Sequence, residues 1–440
     1  MRRKARQIIT ILCALSLFLG CGAGFNFILV DDAPDPKSFM ATARLMFHDM
    51  YTSKHNIDIA FVGSSHAYVS FVPKIVDEKF GAYSFNAATA TQYMDGSFAV
   101  IQELCEYHKP RRIFLEMYFA MANGPEYMER KDLSHTYAIS DYMRPSLRKL
   151  RYLWNAGNKS HWVNNFFPAR RNWRKIFDLN FISSTIKRKR SIEYRNYHWW
   201  DRKEGDEFYY VERGFVALDK TWKDLWSSWA HGAIGKAVQL NETNDWYKSL
   251  VEIINYCREH EIELALIVAP MPEITIVGAE KYQLYHDFIQ DIADRHGLLF
   301  ADFNYCRPEY FDTNDRNMFW DNNHVNIKGA EMFTNIFCDF INGKIAKEKL
   351  FFDTLQDKLD AEEPTVLGFA GPTKDGKGYV ISNRENGMEF KLVATPKDGM
   401  PRVIQDFSKE KEFAIPEGEH GKLVLLWRMK EKAGRIETKY

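Results

Sequence analysis

Charge imbalance is missing from this chain. Lys+Arg and Asp+Glu stand at 59 each, so its overall electrostatics select no particular partner. Cysteine is scarce, six in 440 residues, and no C-x-x-C pair occurs, which removes the spacing typical of structural metal sites. Cys105, Cys257, Cys306 and Cys338 are far apart, and most lie in apolar helical patterns; buried free thiols are expected, with no metal and no cofactor. No internal repeat or low-complexity tract is present, which argues against a repeat architecture.

Aromatic residues, by contrast, are plentiful, with 32 Phe, 22 Tyr and 11 Trp, and the length suits one large α/β domain with a smaller module. Charge is balanced only globally. Between Arg144 and Lys203 there are 16 Lys/Arg against three acids. The amino terminus reads Met-Arg-Arg-Lys-Ala-Arg and continues as an apolar run from Ile8 to Val30, long enough as a helix for a hydrocarbon core of ~30 Å. Basic residues before the run and Asp31-Asp32 after it predict a transmembrane signal anchor over 1–35, with the rest of the chain extracytoplasmic. A cleaved signal peptide, or a lipoprotein processed at Leu19-Gly-Cys21, is the alternative, and both also place the domain outside the cytoplasm.

Beyond the anchor, short Val/Ile/Leu-rich runs alternate with amphipathic segments. Strands are predicted at Ile57–Val62, Ala82–Asn86, Arg112–Tyr118, Leu264–Ala269 and Leu298–Phe303, with helices at Val72–Phe80, Asp95–His108, Asp245–His260, Lys281–His296 and Ile327–Ile341. This rhythm implies an α/β domain over 36–350, a parallel sheet with helices on both faces whose ligand site lies at the carboxyl ends of the strands. Residues 121–240 break the rhythm. They hold Trp154, Trp162, Trp173, Trp199, Trp200, Trp222, Trp226 and Trp229 among many basic residues, and predict a large, mainly helical insertion capping a cleft. Such a surface suits either a solvated basic face or contact with an anionic polymer or lipid headgroups; nucleic acid is not expected outside the cell. From 360 to 440, short strand-like runs at Thr365–Phe369, Gly378–Ser382, Glu389–Ala394, Glu412–Ile415 and Lys422–Arg428 suggest a small antiparallel β module.

Two stretches carry chemistry. Ile57-Asp-Ile-Ala-Phe-Val-Gly-Ser-Ser-His66 runs from a strand into a turn that would expose Ser65 at the sheet's carboxyl edge. A serine there needs a base within hydrogen-bond reach. Asp321-Asn-Asn-His324, just before the last helix, offers one: Asp321 can orient the His324 ring while its other nitrogen faces Ser65. Ser64 is the rival nucleophile. His66 is a turn residue or a supporting group, Glu116 ends a strand where it could orient His66 or substrate hydroxyls or else make a structural hydrogen bond, and Asn86 is expected to fix the backbone after the second strand rather than touch substrate.

Val62-Gly-Ser-Ser-His66, Asn86-Ala-Ala-Thr89 and Asp321-Asn-Asn-His-Val-Asn-Ile-Lys-Gly329 resemble the first, second and last blocks of the SGNH/GDSL hydrolase superfamily, whose sheet is flavodoxin-like. The anchor, doubled serine and insertion are more similar to the branch that works beside membrane-bound O-acyltransferases, the alginate O-acetyltransferase-type proteins and the D-alanyl-transfer protein of teichoic acid modification. The resemblance implies a Ser65-His324-Asp321 acyltransferase or esterase acting on a cell-surface polysaccharide or other envelope glycan, with a membrane-bound O-acyltransferase as partner. A non-catalytic glycan-binding scaffold is the third possibility. The third strand ends Phe114-Leu-Glu-Met-Tyr-Phe119, without the Gly-x-Asn-Asp that supplies an oxyanion donor in the superfamily. Backbone N–H groups near Ser65 and Ala88, with the Gln92 side chain, are the expected replacements.

Overall fold

Five short strands organise the molecule: β1 (Ile59–Gly63), β2 (Ser84–Ala88), β3 (Arg112–Glu116), and, beyond the insertion, Glu263–Val268 and Leu299–Asp302. All pair in parallel, and the first strand lies between the second and third, the doubly wound order. Each is buried along nearly its whole length, as a sheet covered on both faces requires. The computed structural model describes residues 2–32, 35–122, 124–227, 240–279, 281–371, 376–415 and 420–440, so Trp229 and part of the predicted insertion lie outside the described residues.

The last helix of the domain, Ile327–Ile341, is fastened over β1 by a ring cluster. Phe61 stacks on Phe71 at 4.0 Å between centroids, and Phe337 meets both edge-on at 5.7 and 5.1 Å. Thr334 Oγ1 donates to the Ser70 carbonyl, and the Val72 N–H donates to Thr334 Oγ1. Packed this way, the helix carries the loop before it over the carboxyl end of β1. Gly329 belongs to that fit, because a Cβ there would run into the Met318 carbonyl oxygen.

The amino-terminal segment forms one helix, α1 (Arg2–Leu29), followed by α2 (Phe39–Thr52). Among the described residues no helix is long and apolar enough to cross a membrane, so the expected transmembrane helix finds no support there. The insertion is less uniformly helical than predicted. Short helices and 3₁₀ segments run to Trp200, and then a hairpin of β4 (Phe208–Glu212) and β5 (Phe215–Leu218) covers the exposed edge of β2, where the Asn86 N–H donates to the Arg213 carbonyl. A two-residue strand, β6 (Trp226–Ser227), then pairs in parallel with the strand Val366–Ala370 of the carboxyl-terminal module.

With β7 (Glu263–Val268) and β8 (Leu299–Asp302) closing the central sheet, the module contributes β9 (Val366–Ala370), β10 (Lys377–Ser382), β11 (Glu389–Pro396), β12 (Arg402–Ser408), β13 (Glu412–Ala414), β14 (Gly421–Met429) and β15 (Lys432–Lys439). They form two four-stranded sheets, β13-β10-β9-β6 and β12-β11-β14-β15, around a shared core that includes Phe369, Val380, Phe390, Leu392, Phe413 and Leu425. Every cysteine is free, and Cys257, Cys306 and Cys338 are buried. Burial raises the Cys257 thiol pKa to about 12, so this group is an inert core residue.

Candidate active site

β1 ends at Gly63, where the chain turns sharply. Its φ of 153° and the close pass of β3 leave no room for a side chain, since a Cβ would sit 2.8 Å from Glu116 Cβ. Ser64 then caps the short helix α3 (Ser65–Ser70), its Oγ accepting from the His66 N–H at 3.3 Å. The same hydroxyl donates to Glu116 Oε2 at 3.1 Å. Ser64 is thereby occupied twice and buried, whereas Ser65, the first residue of the helix, is only half-buried and faces the loop from the far end of the chain. Of the two serines, Ser65 is therefore the one whose hydroxyl is left facing that loop.

That loop is built to hold a histidine. Asp321 Oδ1 accepts the backbone N–H groups of both Asn323 and His324 at 2.7 Å, a tight Asx-type turn. Trp320 N–H donates to the His324 carbonyl, and Asn326, the cap of the last helix, binds the Asn317 and Phe319 carbonyls. The His324 ring lies between the two ends of the chain: Nδ1 is 3.0 Å from Asp321 Oδ2, and Nε2 is 2.8 Å from Ser65 Oγ. A carboxylate at Nδ1 places the ring proton there, leaving the Nε2 lone pair to accept the Ser65 hydroxyl proton. For Asp321, burial is the largest influence and acts to raise the pKa. The charge and hydrogen bonds of His324, with the backbone N–H groups, outweigh it and leave the carboxyl below its ordinary value.

The surroundings are aromatic. His66 is buried, stacked on Tyr118 at 4.0 Å and on His324 at 4.8 Å, while Phe39 stacks at 6.5 Å from His324. Burial, reinforced by the charge of His324, holds the His66 pKa well below the ordinary value, so it stands beside the triad as a neutral ring. Glu116 makes the structural hydrogen bond among its expected roles, to Ser64 and not to His66; burial pushes its pKa up to about 8, against hydrogen bonds from Ser64 and the Tyr118 backbone. It therefore props the Ser64-Ser65 turn as a neutral acid at pH 7.

The expected oxyanion donors fare unequally. Ala88 pairs in register with Gly63, so its backbone lies beside the turn that carries Ser65. Gln92 is not directed there. Its amide is engaged at both ends, accepting from Thr89 Oγ1 at 3.1 Å in the loop after β2 and donating to Ser97 Oγ at 3.2 Å in the helix Met94–Tyr107 that follows. Asn86 Nδ2 donates to the Phe71 carbonyl at 2.8 Å, so it holds the backbone that follows α3 and not, as expected, the backbone after β2. Two residues escaped sequence reasoning: Tyr118 and Asn323, joined by a hydrogen bond from the Tyr118 hydroxyl to Asn323 Oδ1 at 3.0 Å. Tyr118 stacks under His66, and only its place two residues past Glu116 at a strand end could have singled it out.

The insertion reaches this site directly. Phe208 packs edge-on against Phe39 at 4.9 Å, the Trp222 N–H donates to the Phe319 carbonyl, and Asn322 Nδ2 donates to Ser227 Oγ at 2.7 Å. Among the described residues no group of His, Cys, Asp and Glu could hold a metal ion. No protein-family model matches the chain, and no curated protein does. Among solved structures, the endo-beta-1,4-mannanase from Thermotoga petrophila is similar at 13% identity over 94% of this chain and 95% of that chain, with a TM-score of 0.18, too low to carry an inference about fold or site.

Proposed function

We propose that the protein is a serine-dependent acyltransferase of SGNH type, working at the extracytoplasmic face of a membrane where its amino-terminal segment holds it. The observation that carries this reading is the unbroken relay Ser65 Oγ, His324 Nε2, His324 Nδ1, Asp321 Oδ2, with contacts of 2.8 and 3.0 Å. In the proposed reaction, His324 takes the Ser65 proton as Oγ bonds to the acyl carbonyl carbon. The bond to the leaving group breaks, and the leaving group departs with that proton. A glycan hydroxyl then attacks the Ser65 ester, giving its proton to His324, which returns it to Ser65 Oγ as the new ester leaves.

Acetyl is the acyl group the resemblance favours, a membrane-bound O-acyltransferase the donor partner, and a cell-surface polysaccharide the acceptor. No cofactor enters the scheme. Hydrolysis of acyl esters uses the same groups with water as acceptor, so the deciding experiment measures products. Purified protein is supplied with 4-nitrophenyl acetate, with and without an oligosaccharide acceptor. Acetylated sugar formed at the expense of free acetate is the expected result. Acetate alone, unchanged by the sugar, assigns the site to an esterase, and turnover equal to that of Ser65→Ala overturns the reading.

A further inference from the structure

The insertion exposes apolar side chains in a way that the acyl-transfer chemistry does not explain. Phe177 is 86% exposed, Leu147 83%, Leu179 77% and Ile192 69%, far more than scattered surface residues of a soluble protein require. The surrounding charge is predominantly positive, with Asp178, paired to Lys175, and Glu193 as the acids beside these residues. In the 3₁₀ segment Pro168–Phe177, exposed Arg170, Trp173, Arg174 and Phe177 follow one another at intervals of three, one and three residues, and both arginines flank the Trp173 ring at 5.5 and 5.6 Å. The next helix, Leu179–Arg190, adds exposed Lys187 and Arg190.

This surface is fastened to the end of α1. The Ala169 N–H donates to Asn26 Oδ1 at 3.0 Å, Asn172 Nδ2 donates to the Leu29 carbonyl at 2.9 Å, and Lys189 Nζ binds the Val30 carbonyl and Asp32. Arg188 pairs with Asp31. α1 itself exposes Ile9, Leu12 and Leu17, so apolar surface runs along the helix and ends at this basic, aromatic collar. A cavity of about 970 Å³ opens between them; Phe27 and Leu150 line it, together with the exposed Leu147.

We infer that this collar is a membrane-interface surface that seats on a bilayer carrying anionic headgroups, with Trp173, Phe177 and Leu179 immersed at the headgroup boundary and the arginines and lysines on the lipid phosphates. The charge complementarity selects anionic lipid, since cations close to such a surface each add favourable energy. The exposed Phe and Leu side chains exclude a purely anionic polymer as the occupant, because a polyanion offers nothing to bury them. Amphipathic rings and long basic side chains are the residues that settle at this depth. Seated there, the insertion would fix the height of the Ser65 site above the membrane, since Phe208 and Trp222 of the same insertion pack on the groups around His324.

The test uses the full chain in lipid nanodiscs containing dibrominated phospholipid, with tryptophan fluorescence as the readout. Wild type is compared with Trp173→Phe, with Phe177→Ser/Leu179→Ser and with Arg170→Glu/Arg174→Glu, in phosphatidylcholine discs with and without phosphatidylglycerol. Circular dichroism and ester turnover verify that each variant is folded. The expected result is a quenched component that Trp173→Phe removes, that both double variants lose, and that shrinks severalfold in discs of phosphatidylcholine alone. Quenching that is identical in wild type and Trp173→Phe overturns the inference. So does a Trp173 signal that stays unquenched in lipid and changes only when another membrane protein is present, which makes the collar a protein interface.

Discussion

Replacing Glu116 by glutamine isolates the buried acid that supports the Ser64-Ser65 turn. The side chain is 4% exposed, Oε2 accepts the Ser64 hydroxyl at 3.1 Å, and Oε1 has no partner among the described residues. Burial raises the folded-state pKa from 4.5 to about 8. Below pH 4.5 both folded and unfolded chains hold the proton, and the contribution to stability is fully present. As pH rises, the unfolded chain releases the proton first, so stability falls until the folded carboxyl titrates near 8. At 1.36 kcal/mol per unit over a span of about 3.5 units, this one group removes on the order of 5 kcal/mol. The substituted amide carries no proton to lose, and its carbonyl can still accept from Ser64. Urea unfolding of both proteins at pH 5, 6, 7 and 8 reads the difference directly. Relative to wild type, Glu116→Gln is expected to gain about 1.4 kcal/mol per pH unit across that range. Parallel stability curves would show that Glu116 is ionised in the fold and would refute the assignment of a neutral acid.

Ser64→Ala is expected to cost about 1–2 kcal/mol through the lost cap, while ester turnover stays within about tenfold of wild type, because Ser64 is occupied by His66 N–H and Glu116; a collapse of turnover in a folded Ser64→Ala protein would reopen its claim as nucleophile. Asp321→Asn can keep the turn, since the Asn oxygen can still accept both backbone N–H groups, but it imposes the wrong tautomer on His324; turnover is expected to fall about 10⁴-fold with an unchanged circular dichroism spectrum. Arg130, 2% exposed, makes a two-pronged bond to Asp95 at 2.9 and 3.0 Å between the Tyr93 and Tyr127 rings; Arg130→Ala strands the Asp95 charge and is expected to cost about 3–5 kcal/mol in denaturant unfolding.

The five strands of the central sheet were legible because each is a short apolar run that must be covered on both faces, and the helix Ile327–Ile341 was legible to the residue because its apolar face has helical spacing. The strands that escaped are of two kinds: β4 and β5, the latter a wholly apolar Phe-Val-Ala-Leu run, lie in the insertion that reads as mainly helical, and the others carry little apolar pattern or are very short. β15, Lys-Ala-Gly-Arg-Ile-Glu-Thr-Lys, and β12 lie at the two edges of their sheet with mostly exposed side chains, so neither carries an apolar pattern. β6 is only two residues long and pairs with a strand some 140 positions later, which local reading cannot reach. At the site, the meeting of Ser65, His324 and Asp321 could be read because both stretches lie at the carboxyl edge of the same sheet. The donors could not, because Gln92 is diverted by Thr89 and Ser97, and what Glu116 touches depends on how closely β3 passes Gly63. Tyr118 and Asn323 stand 205 positions apart and meet only when the chain between them has folded.

The Ser65 nucleophile is tested most directly by intact mass. Wild type, Ser65→Ala and His324→Ala are incubated with a small activated acetyl ester, quenched in acid and weighed, and any adduct is located by peptide mapping. A single acetyl group on Ser65 in wild type, absent from both variants, is the expected result. An adduct that survives Ser65→Ala, or three proteins of identical reactivity both alone and in membranes containing an O-acyltransferase partner, contradicts the triad.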